Sequence, residues 1–486
     1  PLLRPLLLPR IIKSGGLPGL RSLKLDEPPT HNPLYPAGAG PAVRADFKRI
    51  AGEVLSGTAS NETGFCSVLD LARAFRSGDT TPLAIAEKLL DAIEKGDQGD
   101  RPLRALVACD RDRLLAQAGA ATERLAGGQG LGVLDGIPVA IKDELDVQGY
   151  PTTAGTRFLG GEPAVEDATV AARLRQAGAL IIGKTNMHEI GISPRSINPH
   201  HGTTRNPYDL DRDAGGSSSG SAAAVAAGLC PLAIGADGGG SIRIPAALCG
   251  VVGLKATYGR ISSHGSFPLD WSVGHLGPIG ATVDDVALAY GVIAGPDPRD
   301  TNTLQQPSLD LGRWQHDAAA DTLSSLRLGI YREWFNHAEP EIVARCEAML
   351  HELAARGAQI REFEIPEMDE LRLAHGVTIL SEMAASMANY PDHWNDLSAA
   401  TRISLALGKS VTSVDYLQAQ RMRSRAMARF MQIFDSVDLV VSPATAMVAP
   451  SIPAQSLSHG VADMNVVAEL MRFVVPANMT GLPAIS

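Results

Sequence analysis

The stretch that most constrains this chain runs from Ala214 to Ala236 and carries no charged residue. It is long enough to cross a bilayer as a helix. Its contents argue against that. Gly215, Gly216, Gly220, Gly228 and Gly235 with Pro231 make a poor helix, and Ser217, Ser218, Ser219 and Ser221 would be stranded in lipid. The reading that remains is a loop, a short buried helix over Ser221 to Ala227, and a buried strand over Pro231 to Ile234.

The flanking sequence repeats that theme. Thr81 caps a helix with Pro82 in its first turn, an apolar stripe through Leu83, Ala86, Leu89, Leu90 and Ile93, and a stop at Gly96. A second helix is predicted from about Arg111 to Leu125. Ile137 to Ile141 and Ala179 to Ile182 read as buried strands, with a helix over Thr169 to Gln176 between them. Thr282-Val-Asp-Asp285 is a capping box that opens a helix to Ile293. Strand alternating with helix predicts an α/β fold with a largely buried sheet. After Gly295 the pattern changes. Residues 296–326 read as a polar connection, followed by a strand at Leu328 to Tyr331, a helix at Pro340 to Ala355 and a strand at Gln359 to Ile365. A helix-rich region, 367–434, then precedes an apolar strand at Val437 to Val441. With no repeat and no clear boundary, the expectation is an arm over 1–65 packed on a single domain over 66–486, with 296–435 a lobe over the site.

A chain of 486 residues with 45% hydrophobic and 20% charged residues has the make-up of a globular protein. Its formal net charge of −10 argues against a nucleic-acid partner, which needs basic stripes to displace counterions. The five cysteines are scattered with no CxxC pair, which predicts reduced thiols in a cytoplasmic compartment. Pro1 to Ile12 is Leu-rich, but Pro5 and Pro9 break the helix that a signal peptide needs. It reads as an apolar arm that packs on the body or lies on a membrane surface.

The densest chemical signal is Gly215-Gly-Ser-Ser-Ser-Gly-Ser221 followed by Gly235-Ala-Asp-Gly-Gly-Gly-Ser-Ile-Arg-Ile-Pro245. A phosphate-binding P-loop would place a lysine beside its second glycine, and none is there. The alternative is acyl transfer. Three glycines before Ser241 leave backbone N–H groups uncovered, and several such donors can converge on one oxyanion. Ser241 then stands as the nucleophile, which needs a base. No histidine stands beside either loop. Lys142 ends the apolar strand in Gly136-Ile-Pro-Val-Ala-Ile-Lys-Asp143. A lysine there is expected to be desolvated, which disfavours its ammonium and makes the amine a usable base. The plainer reading is an ion pair between Lys142 and Asp143. His188-Glu189 lacks the second histidine of HExxH, and His200-His201 lies in a polar loop, so no metal site is expected.

Residues 215–255 together with Lys142 resemble the amidase signature family. Further matching stretches are Gly183-Lys-Thr-Asn186, Asn206-Pro207, Gly250 to Thr257 and Asp438 to Pro443. The resemblance implies an amidase-signature fold, a central mixed β-sheet covered by helices on both faces. It also implies a catalytic set of Lys142, Ser217 and Ser241, with Ser217 in a cis peptide at its junction with Gly216 or Ser218. Gly238, Gly239 and Gly240 would hold the oxyanion, Gly191 and Ser193 would line the acyl side, and Ser218 and Ser219 would support the site. No cofactor is implied. Within the family, Asp26-Glu-Pro-Pro29, Ile365-Pro-Glu-Met368, Ala374-His375, Asp415-Tyr416, Ala419-Gln420 and Leu470-Met-Arg-Phe473 resemble the plant-type fatty acid amide hydrolases. That likeness implies fatty acid amides and N-acylethanolamines as substrates, with a homodimer and peripheral membrane contact through the arm as partner expectations.

Three alternatives stand beside it. One is an amidase of other specificity, acting on aryl-acylamides, carbamates or small aliphatic amides. Another is the glutaminase subunit of a tRNA-dependent amidotransferase. The third is a membrane-associated binding protein with a dead site, against which the intact Lys142, Ser217 and Ser241 speak. The sequence begins without Met and stops at Ser486, where the family continues through further strands. Either the sequence continues beyond that point or the sheet is shorter.

Overall fold

The computed structural model describes residues 16–27, 29–30, 66–307, 309, 323–460 and 463–486. The expected arm at Pro1 to Ile12, the rest of 1–65 apart from 16–27 and 29–30, and 310–322 of the polar connection lie outside the described residues. The core is a seven-stranded mixed sheet. Across it, the strands run Leu106–Ala108, Leu180–Thr185, Pro138–Lys142, Leu232–Ala236, Leu276–Gly280, Val252–Lys255 and Ala484–Ile485. The Pro138–Lys142 strand lies parallel to both of its neighbours, with Ile141 opposite Ile234 on one side and Lys142 opposite Thr185 on the other. The remaining pairings are antiparallel.

Successive side chains of a strand point to opposite faces, and both faces of this sheet are covered. Val139, Ile141, Leu232 and Ile234 pack with Leu71, Val170, Leu174 and Leu288 from the helices Val68–Ser77, Thr169–Gln176 and Val283–Ile293. Ala140 and Ala233 face the other way, among Leu89, Leu114 and Ala222 to Ala224 from the helices Pro82–Gly96, Arg111–Ala126 and Ser219–Ala226. The small side chains on this second face let the Ser219–Ala226 helix lie close to the sheet. At Gly220 a Cβ would stand 2.1 Å from the Ala105 carbonyl oxygen.

Most predicted helices are where the sequence puts them, including Thr169–Gln176, Pro340–Ala355 and the one opened by the capping box at Thr282. The sheet differs more. The strand Leu276–Gly280 reads Leu-Gly-Pro-Ile-Gly and offers no β-branched run, yet all of it is buried. The strand expected over Gln359 to Ile365 ends at Glu362, and that over Val437 to Val441 shortens to Leu439–Val440. These two flank Arg327–Ile330 in a separate three-stranded sheet, so each is an edge with one free side.

The long helices Met368–Ser386 and Ser413–Phe434 pack together and carry the short helix Leu17–Ser22. Leu17 and Leu20 are buried beneath it, Arg21 Nε donates to Asp415 at 2.7 Å, and Gln418 Nε2 donates to the Leu23 carbonyl at 2.9 Å. No helix among the described residues is long and apolar enough to cross a membrane.

Candidate active site

Parallel strands bring their carboxyl ends to one edge of a sheet, where α/β proteins place ligands. Lys142 ends one such strand and Ala236 the next. The Lys142 side chain is 1% exposed, and its Nζ donates to Ser217 Oγ at 2.8 Å. The Gly216–Ser217 peptide bond is cis. The plainer reading of Lys142 meets a different partner, because Asp143 is 3.0 Å from Lys184 whereas Lys142 Nζ lies 3.1 Å from Glu144 Oε2. The sequence reading did not single out Glu144. It is two residues along the chain from Lys142, past the strand end, and only the turn there brings the two side chains together.

The other serines of the loop hold the frame. Ser218 Oγ accepts from the Ala236 N–H at 3.2 Å and donates to the Ala236 carbonyl at 3.1 Å, so it ties the loop to the strand end. Ser219 Oγ donates to the Asn186 carbonyl, and Ser221 Oγ donates to Ile234 O. Thr185 bonds Ser221 at 2.7 Å, and Asn186 Nδ2 donates to Gly202 O. The Gly183–Asn186 motif is thus a brace beneath the serine loop.

Ser241 follows the glycine loop, and its carbonyl accepts from the Ser218 N–H at 3.2 Å, which joins the two loops directly. The Gly238, Gly239 and Ser241 N–H groups make no hydrogen bond among the described residues. Gly240 departs from expectation, because its N–H donates to Asp237 Oδ1 at 2.6 Å. A donor spent on an internal carboxylate is not offered to an oxyanion, so three candidate donors remain of the four.

Asp237 is the anchor of this loop. Its carboxylate also accepts from Ile242 N–H, from two Arg243 nitrogens at 3.0 Å each and from Asn478 Nδ2 at 2.9 Å. Burial works against this charge, but Arg243 and Asn478 outweigh it and hold the carboxyl well below its ordinary range. Arg243 donates in turn to Val474 O and Asn478 Oδ1. Removing one partner of a buried pair leaves the other charge uncompensated, at a cost of about 3–5 kcal/mol. Arg243→Leu is therefore expected to destabilise the fold by about that amount. Urea denaturation of the variant beside the wild type measures it, and an unchanged midpoint would contradict the anchoring role.

Two cavities meet at Ser241. One, of about 910 Å³, is walled by Leu17, Ile192, Leu373, Ile379, Leu407 and Met471, with Gly191 and Ser193 on its rim. The other, of about 200 Å³, is polar and lined by Lys142, Glu144, Ser217, Asp270, Trp271 and Asn302. Gly191 and Gly239 border both. Gly191 contributes wall rather than a donor, since its N–H is committed to His188 O. Burial, with Glu382 and Glu144 nearby, pushes the Asp270 carboxyl up to about 8, well above the ordinary carboxylate range. Asp270 carried no sequence signal, because its significance lies in packing against Gly238 and Gly274.

The histidines set aside above have ordinary partners. His200 Nε2 meets Glu189 Oε1 at 2.5 Å, and Glu189 also accepts from the Ser398 N–H. Among the described residues no group of three or more His, Cys, Asp or Glu is arranged to hold a metal ion.

Comparison with known proteins agrees with this geometry. Residues 84–486 match the family model described as Amidase. A fatty acid amide hydrolase of Medicago truncatula is 44% identical over 87% of this chain and 70% of its own length. That of Arabidopsis thaliana is 41% identical over the same shares. The solved structure of a bacterial aryl acylamidase of the amidase signature family superimposes with a TM-score of 0.76 at 26% identity, covering 86% of this chain and 89% of that one. With the family model spanning most of its length and such relatives on either side, the chain belongs to the amidase family.

Proposed function

We propose that this protein is a serine amidase that hydrolyses fatty acid amides, N-acylethanolamines among them, to a free fatty acid and an amine. The observation that carries the reading is the apolar cavity that opens on Ser241 beside a smaller polar one. An acyl chain suits the first and an amine leaving group the second. The fatty acid amide hydrolases related to the chain support the same choice.

Ser241 Oγ attacks the amide carbonyl. Its proton passes to Ser217 as Ser217 gives its own to the Lys142 amine, 2.8 Å away. The Lys142 ammonium so formed lies beside Glu144, which stabilises it. The N–H groups of Gly238, Gly239 and Ser241 hold the tetrahedral oxyanion. Lys142 returns the proton through Ser217 to the leaving nitrogen, the C–N bond breaks and the amine departs. Water, deprotonated along the same relay, then cleaves the acyl ester and restores Ser241.

We keep the division into an arm over 1–65 and a single domain over 66–486, with 296–435 a lobe over the site. The helices of that region that wall the apolar cavity support it. Homodimerisation, membrane contact through the arm and a cytoplasmic setting complete the proposal. Five unpaired thiols fit that setting.

The test is kcat/KM across acyl groups from two to sixteen carbons on one amine. Each buried CH₂ is worth about 0.8 kcal/mol, so ten bring roughly 8 kcal/mol before chain ordering is subtracted. Only the share realised in the transition state raises the rate. Growth of at least about 10³-fold, half of that gross energy, is the expected result. A flat or falling series would leave an amidase of short substrates.

A further inference from the structure

We propose that His375 is a positioning residue for the oxyanion-binding peptide, and that through it the helix walling the acyl cavity governs the rate of acyl transfer. The proposal rests on the amidase reading above. His375 lies on the Met368–Ser386 helix, is 1% exposed, and stands 2.7 Å by its Nε2 from the Gly238 carbonyl oxygen, 137 residues away in the chain. A carbonyl only accepts, so Nε2 carries the proton and donates. Burial holds the imidazolium off, pushing the ring's pKa down to about 4, so the donor is a neutral imidazole across the working pH range.

The Gly238 carbonyl and the Gly239 N–H belong to one peptide unit. In a trans peptide the two point in opposite directions. Holding the oxygen towards His375 therefore aims the Gly239 N–H away from the helix, towards the space at Ser241. A hydrogen bond accepted at the oxygen also polarises the amide and strengthens its N–H as a donor. Such an anchor is needed because a peptide between two glycines turns over with little steric penalty. The ring and the glycine fit each other closely, since a Cβ on Gly239 would sit 2.7 Å from His375 Cε1.

The same helix presents Leu373, Val377, Ile379, Leu380 and Met383 to the apolar cavity. An acyl chain filling that cavity presses on the element that holds the peptide. Part of the chain's binding energy thus appears in kcat rather than only in KM.

The test compares His375→Leu, which keeps bulk and loses the donor, with His375→Gln, which keeps an N–H donor of similar reach. The leucine variant is expected to lose about 10- to 100-fold in kcat on a long-chain amide, with KM within about threefold; loss of a whole oxyanion donor costs about 10²–10³. Inhibition by a long-chain trifluoromethyl ketone, which mimics the tetrahedral adduct, should weaken in parallel, while inhibition by the free fatty acid stays unchanged. The glutamine variant should recover most of the loss. In the leucine variant kcat should also become nearly independent of acyl length. Should that variant not fold, His375→Met takes its place, and thermal denaturation of each variant shows which are folded. Wild-type kcat in a folded variant without the donor, a change confined to KM, or a folded glutamine variant as slow as leucine would each overturn the proposal. If the wild type prefers short amides, the fatty-amide reading fails separately, and the kcat comparison is made on its best amide.

Discussion

Ser241→Ala is expected to abolish turnover, with kcat down by about 10⁴- to 10⁶-fold while the fold and substrate binding persist. The reason is positional. Ser241 closes the glycine loop where the two cavities meet, and its carbonyl is tied to the Ser218 N–H, so the hydroxyl is held beside both chambers. Without it the acyl-enzyme cannot form, and what remains is the rate enhancement of binding and oxyanion stabilisation alone. A long-chain fluorophosphonate should label the wild type once, at Ser241, and leave the alanine variant unmodified. Mass spectrometry of the digested protein reads this directly. Label found on Ser217, on another serine or on a cysteine would move the nucleophile elsewhere. All five thiols argue against the last outcome, since burial pushes Cys66, Cys109 and Cys346 up and raises Cys230 to about 12; Cys249 is buried and is pushed up further still.

Lys142→Ala should cost about 10²- to 10⁴-fold in kcat, the usual worth of a positioned general base. Lys142→Arg sharpens the point. A guanidinium keeps a positive charge for Glu144 but does not give up its proton at any pH a protein tolerates. If Lys142 were only the partner of Glu144, arginine would restore activity. If Lys142 takes the proton of Ser217, arginine should be nearly as inactive as alanine. Pre-steady-state release of the amine distinguishes slow acylation from slow deacylation, and both should be slow because the same relay serves each step. Near-wild-type turnover in either variant would reduce Lys142 to a structural ion pair.

The two experiments probe residues that stand out in the sequence, whereas His375 and Asp270 do not stand out there as parts of a site. Lys142, Ser217 and Ser241 each sit in a local pattern that has a chemical reason to exist: an apolar strand ending in a base, and two glycine-rich loops ending in hydroxyls. Helices were legible for the same reason. Caps such as Thr81 and Thr282 and stripes such as Leu89 and Leu90 act over a few residues, so their signal is contained in a short window. The strand Leu276–Gly280 escaped notice because its position was decided by neighbours on both sides rather than by its own propensity.

Local patterns along the chain show which segments are helices, which stretch is too glycine- and serine-rich to span a membrane, and where a strand-end lysine and two serine-bearing glycine loops lie. Tertiary structure alone decided which groups face them. Glu144 rather than Asp143 meets Lys142, and Asp237 takes up the Gly240 N–H. Asn478 arrives from far along the chain to lock that aspartate, and His375 reaches the Gly238 carbonyl from a helix in another part of the fold. The physical reason is range. Backbone capping and periodicity operate within a turn or two of chain, but hydrogen bonds and ion pairs in a dry interior depend on sub-ångström placement of groups that packing brings together from anywhere in the sequence.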